Sequence, residues 1–220
     1  MKIADLVDFN FNLLGVLTRL GIGFGFGDET VEEVCRRTGI NANTFLLICN
    51  VYSFDGYRPS SDVLREIDLR DIVRYLRRSH AFYMDVAVKS LADAIQQVIE
   101  PCDERRKRII RSFFTQYKDE LSRHFEYEEN TVFPYVEAVL GHADHPGFTI
   151  LQYEENHTNV EEKLSDLKNI VMKYLPPECD NKQIFNVLYY IHSLAEDLEK
   201  HTAIEDEILV PVVGRMEDNG

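Results

Sequence analysis

Four histidines and two glutamates fall where amphipathic helices would ordinarily place apolar side chains: His80, His124, Glu128, His157, His201 and Glu205. Imidazole and carboxylate together suit iron, zinc, copper or manganese, and the lack of a cysteine among them disfavours a structural zinc. Residues at i and i+4 lie about 40° apart on a helix, so His124 with Glu128, and His201 with Glu205, can each approach one ion from one wall. A polar group on a buried stripe is costly unless something satisfies it, and an unpaired carboxylate more so. A shared pair of cations satisfies all six at once.

The H-x-x-x-E spacing is not specific by itself, because His157 with Glu161 and His192 with Glu196 also show it. His192 precedes His201 by nine residues, half a turn out of phase, and is expected to face away from the site. His142 and His145 share a segment with proline and glycine and read as surface residues. The six are set apart by an internal repeat. His80 and His157, His124 and His201, Glu128 and Glu205, and Pro134 and Pro211 are each separated by the same 77 residues. Aligned without gaps, HFEYEENTVFPYV and HTAIEDEILVPVV agree at the histidine, the glutamate, the proline and the last valine. One helix pair thus occurs twice, and pseudo-twofold symmetry would set its ligands around two equivalent ions bridged by two carboxylates. A lone histidine would fit an ordinary core residue bonded to a nearby glutamate; six in phase with a common offset fit a metal site. Glu161 has Met84 as its counterpart, which suits an outer role rather than ligation.

These side chains need long helices to hold them. Helical periodicity dominates the chain, with no convincing strand alternation, so the expected class is all-α: an antiparallel four-helix bundle behind a small N-terminal helical domain. The four helices are expected over about Asp71 to Ile99, Asp103 to Leu140, Phe148 to Tyr174 and Asn181 to Met216, with Val73, Leu76, Met84, Ala87 and Leu91 continuing the first stripe around His80. Ahead of them, Ile3 to Leu20 reads as one helix closed by Gly21. Thr30 and Glu33 form a capping box for a short helix ended by Gly39, and Asn41 or Asn43 caps the next. Asp55 to Ser61 reads as a linker, dividing a domain over residues 1–58 from a bundle over residues 68–217.

The chain of 220 residues is long enough to bury roughly 70% of its unfolded surface. A net charge of −14 argues against nucleic acid, and the one dense basic cluster, Arg105 to Arg108, reads as a solvated helix face. No apolar run is long enough for a membrane span and no signal pattern is evident, so a cytoplasmic location is expected. Cys35, Cys49, Cys102 and Cys179 show no C-x-x-C pair or disulfide rhythm and read as reduced thiols.

Two octahedral ions offer about twelve coordination positions, of which four histidines and two bridging glutamates fill about eight. The remainder can take an oxo or hydroxo bridge and a small ligand. Two iron ions are the expected cofactor, with zinc or manganese able to occupy the site in a purified sample. Tyr83, Tyr117 and Tyr153 lie near the inferred site and read chiefly as aromatic core.

The order His80, His124 with Glu128, His157, His201 with Glu205 resembles the hemerythrin-like HHE domain, and the chain as a whole resembles the iron-sulfur cluster repair di-iron proteins. That resemblance implies a cytoplasmic stress protein that helps restore iron-sulfur clusters damaged by oxidants or nitric oxide, by supplying iron, and often as a homodimer. Its partners would be damaged iron-sulfur proteins or small gaseous ligands. Glu120, one turn before His124, matches an acidic residue that the family places along the route into the site. One departure is the segment GIGFGFGD, Gly21 to Asp28, where many relatives carry adjacent cysteines and this chain has none. Two other functions share the same ligands: a carrier or sensor of dioxygen or nitric oxide, and a di-iron oxidoreductase that reduces nitric oxide or peroxide.

Overall fold

The computed structural model describes residues 1–143, 147–156 and 162–218. Every regular element among them is helical apart from one isolated bridge between Lys2 and Thr30. In chain order the α-helices are α1 (Ile3–Phe9), α2 (Leu13–Arg19), α3 (Val31–Thr38), α4 (Ala42–Ser53), α5 (Leu69–Phe82), α6 (Val88–Val98), α7 (Glu104–Tyr127), α8 (Phe133–Leu140), α9 (Ile150–Asn156), α10 (Glu162–Tyr174), α11 (Asn181–Ile204) and α12 (Val210–Asp218). No described helix is long and apolar enough to cross a membrane.

The N-terminal segment departs from the expected single helix. Asn10 is extended, at φ −144° and ψ 106°, and separates α1 from α2. Its Nδ2 donates to the carbonyl of Tyr52 at 2.9 Å and to Ser53 Oγ at 3.2 Å, while its Oδ1 accepts from the backbone of Asn12 at 3.0 Å. An asparagine side chain that bonds backbone in this way offers the chain an alternative to the helical ladder. The expected caps are present downstream. Thr30 and Glu33 form a capping box at α3, Gly39 closes it at φ 68°, and Asn41 caps α4 by accepting from Thr44.

The long helices are interrupted by single wider turns. A π turn at Tyr83–Ala87 separates α5 from α6, another at Glu128–Val132 separates α7 from α8, and a third at Glu205–Leu209 separates α11 from α12. Pro134 and Pro211 follow the second and third. A proline has no N–H to donate and crowds the carbonyl four residues back, and a turn widened by one residue relieves both problems. The extra residue rotates all that follows by about 100°. On the first helix this moves the core contact from the expected Ala87, which is only half-buried, to Val88, which is 1% exposed; Tyr83, at the head of the turn, is 0% exposed and the expected Met84 only half-buried.

Two compact units divide the chain. One comprises Met1–Ser79, Phe133–Glu155 and Lys200–Gly220. Within it, buried Arg19 donates from Nη1 to the hydroxyls of Tyr52 at 3.0 Å and Tyr75 at 3.2 Å, and Arg78 donates to the Arg19 carbonyl at 3.0 Å. Buried Asp71 accepts from the Asn41 backbone at 2.7 Å and from Arg74. The other unit comprises His80–Val132 and Asn156–Glu199. Four helices pack there around one core: Leu91, Ile95 and Val98 of α6, Tyr117 and Leu121 of α7, Leu164, Leu167 and Val171 of α10, and Val187, Ile191, Leu194 and Leu198 of α11. Contacts at three-and-four spacing along each helix give this unit the cross-section of a helical bundle.

Candidate metal centre

His80 sits in the last turn of α5, His124 in the last turn of α7, and Glu128 opens the π turn that follows it. All three belong to the four-helix unit. Glu128 is fully buried and presents a different oxygen to each imidazole, Oε2 at 3.1 Å from His80 Nε2 and Oε1 at 3.2 Å from His124 Nε2. One buried carboxylate thus faces two separate nitrogen donors.

The other face of His80 explains its orientation. Its Nδ1 lies 2.9 Å from Glu129 Oε1. With the Glu129 carboxylate as acceptor, the tautomer that fits this contact carries its proton on Nδ1 and turns the lone pair of Nε2 toward Glu128. Two acceptors facing each other at 3.1 Å require a cation or a second proton between them, and a metal ion meets that requirement. A carboxylate behind a metal-binding histidine is a common means of fixing the ring and raising its basicity. Phe125 stacks on the His80 ring with centroids 4.1 Å apart, and Tyr83 stacks on Phe125 at 5.8 Å, which limits water on this side.

Glu129 was not singled out by the sequence pattern, which assigned the inward face to Glu128 alone. Two signals could have found it: the π turn forced ahead of Pro134, which changes the phase there, and the acidic counterpart Asp206 at the same 77-residue offset.

The second histidine–glutamate pair lies in the other unit. His201 is in the last turn of α11, Glu205 opens the following π turn, and His201 Nε2 lies 3.1 Å from Glu205 Oε1. The pair is 1% and 0% exposed. Helix, histidine, glutamate, π turn and proline therefore recur in the order and spacing of the first half. Among the described residues, the buried candidates for cation ligands are His80, Glu128, His201 and Glu205. His124 is partly buried, with 9% of its side chain exposed. His157 and Glu161 lie outside the described residues.

His192 is exposed, and its Nε2 lies 3.5 Å from Glu196. His142 is exposed at a positive φ of 54°, and His145 lies outside the described residues. Arg105, Arg106 and Arg108 are exposed, and Arg106 pairs with Asp103. Glu120 is bound by Lys163. Tyr83 is fully buried and donates to the Asp197 carbonyl at 3.1 Å, while Tyr117 and Tyr153 are each 1% exposed, consistent with core packing.

The cysteines differ from the expectation of scattered thiols. All four are free and buried, but the sulfurs of Cys102 and Cys179 are only 3.7 Å apart.

Comparison with known proteins agrees with the geometry. Two curated relatives are similar over most of their lengths. The iron-sulfur cluster repair protein ScdA of Staphylococcus haemolyticus is 20% identical over 200 residues, covering 88% of this chain and 89% of the relative. The iron-sulfur cluster repair protein YtfE of Musicola paradisiaca is 22% identical over 192 residues, covering 84% and 82%. No solved structure matches the chain significantly. The family model described as the hemerythrin HHE cation binding domain matches residues 71–213, most of the chain and every candidate ligand, and the chain belongs to that family.

Proposed function

We propose that this chain is a di-iron protein that helps restore iron-sulfur clusters damaged by oxidative or nitrosative stress, acting as a source of iron. The observation that carries the di-iron part is the buried Glu128 carboxylate, which directs one oxygen to His80 and the other to His124. His80, His124, Glu128, His157, His201 and Glu205 would hold the two ions, and the 77-residue repeat supports equivalent ligation of each. The repair role is supported by the similarity to ScdA and YtfE over more than four-fifths of the chain.

When bound, the iron pair supplies redox-active Lewis-acidic cations that can be released to an acceptor. The protein's own residues prepare for this. Glu129 keeps a proton on Nδ1 of His80, leaving Nε2 as the donor. Phe125 and Tyr83 form an apolar wall behind that ring. The π turns at Glu128 and Glu205 allow a proline six residues beyond each glutamate without breaking the helix that carries it. Glu120, one turn before His124 and held by Lys163, is an acidic group suited to an exit route for a cation.

The test mixes iron-loaded protein with an iron-sulfur enzyme whose cluster has been destroyed. Activity should return at about the rate of iron transfer, and should not return with protein stripped of metal. No return, where free ferrous iron does restore activity, overturns the repair reading. Reversible binding of dioxygen or nitric oxide without iron transfer would favour a carrier or sensor.

A further inference from the structure

Cys102 and Cys179 lie in two turns that are copies of one another. Both belong to the four-helix unit, both are 5% exposed, and they are separated by the same 77 residues that relate the candidate metal ligands. The backbone N–H of Cys102 donates to the carbonyl of Ile99 at 2.9 Å, and that of Cys179 to the carbonyl of Pro176 at 3.1 Å, again positions 77 apart. Each cysteine immediately precedes an aspartate that caps a helix. Asp103 accepts from the backbone of Arg106 at the start of α7, and Asp180 accepts from the backbones of Lys182 and Gln183 at the start of α11. Bonding on both sides fixes the backbone of each turn, and the repeat brings the two thiols face to face.

We infer that Cys102 and Cys179 form a reversible intramolecular disulfide when the protein meets hydrogen peroxide. The sulfurs are 3.7 Å apart and must approach to about 2.05 Å, a movement within reach of side-chain rotation and small shifts of the two turns. The chemistry balances in two steps. One sulfur attacks peroxide as its thiolate; an S–O bond forms, the O–O bond breaks, and the departing hydroxide takes a proton to leave as water. The second sulfur then attacks the resulting sulfenic acid; the S–S bond forms, the S–O bond breaks, and a second water leaves. Two thiols are oxidised and one peroxide is reduced to two waters. A dithiol reductant reverses the linkage by exchange.

Proximity, not acidity, selects this pair. Burial, followed by the contact with Cys102, pushes the Cys179 thiol up to about 11, while burial pushes Cys35 to about 11 and Cys49 to about 12. Thiols this weak react slowly at neutral pH, so the bond should accumulate only under sustained peroxide. Once formed, it ties together the starting ends of α7 and α11, whose last turns hold His124 and His201.

The test treats the full-length chain as purified with hydrogen peroxide, blocks remaining thiols under denaturing conditions, and digests it without reductant for mass spectrometry. A peptide linked through Cys102 and Cys179 is expected, with loss of two titratable thiols per chain and recovery of both after dithiothreitol. The oxidised chain should melt about 5–10 °C higher, because the bond closes a long loop in the unfolded state. Cys102→Ser and Cys179→Ser should each abolish the linked peptide and the thermal shift, and Cys35→Ser should abolish neither. The inference is overturned if both thiols remain blockable after peroxide treatment, if they end only as sulfinic acids, or if they link to other chains. The wild-type peptide map decides between these outcomes even where a serine variant fails to fold.

Discussion

His80 stands between two adjacent glutamates, with Nε2 3.1 Å from Glu128 and Nδ1 2.9 Å from Glu129. The two contacts are not equivalent, because Glu128 also faces His124 while Glu129 orients the ring from behind. Glu129→Gln should therefore keep the fold but lower iron affinity by about 10–100-fold. Competition with a chromophoric chelator reads this directly, and an unchanged affinity would remove Glu129 from the site.

Bridging makes a distinct prediction for the first and second halves of the repeat. Glu128→Ala or Glu205→Ala should empty both metal positions, whereas His124→Ala or His201→Ala should lose one ion and weaken the other. Elemental analysis gives the metal content per chain. A clean loss of one ion on removing either glutamate would contradict a carboxylate shared between ions.

Tyr135 provides a pH signature away from the metal ligands. It is buried and donates to Glu217, whose carboxylate also accepts from the Ile150 backbone at 2.9 Å. Burial first, then that bond, raises the phenol above its ordinary value near 10. In the unfolded chain the phenol ionises first, so its contribution to stability is complete below about pH 10 and declines as pH rises above it. Tyr135→Phe should flatten the alkaline fall in melting temperature, and an identical fall in the variant would refute the assignment.

Gly21 follows α2 at φ 76°, and a Cβ there would meet Arg78 Nη1 at 2.8 Å. That guanidinium is already engaged with the Arg19 carbonyl. Gly21→Ala combines a left-handed backbone penalty with displacement of Arg78 and should cost about 1–2 kcal/mol. Denaturant midpoints at constant m-value provide the measurement, and a cost under a few tenths of a kcal/mol would mean that Arg78 moves freely.

Much of the site was legible because repetition and periodicity are properties of the chain itself. The 77-residue offset singles out His124 with Glu128 and His201 with Glu205 from spacing alone, and the structure places both pairs at the ends of long helices with the glutamates fully buried. The caps at Thr30, Gly39 and Asn41 were equally local, each depending on residues within a few positions.

The tertiary structure decided what depends on phase and on distant partners. Asn10 breaks the first helix because Tyr52 and Ser53 lie beside it, which no window around Asn10 can reveal. The π turns add one residue to a helix and so rotate every later side chain, which brought Val88 into the core where Ala87 was expected. Glu129 met His80, and Cys102 met Cys179, only once the helices had packed. Spacing along the chain determines which residues share a face; which faces come within about 4 Å of each other is set by packing, and packing is a property of the folded whole.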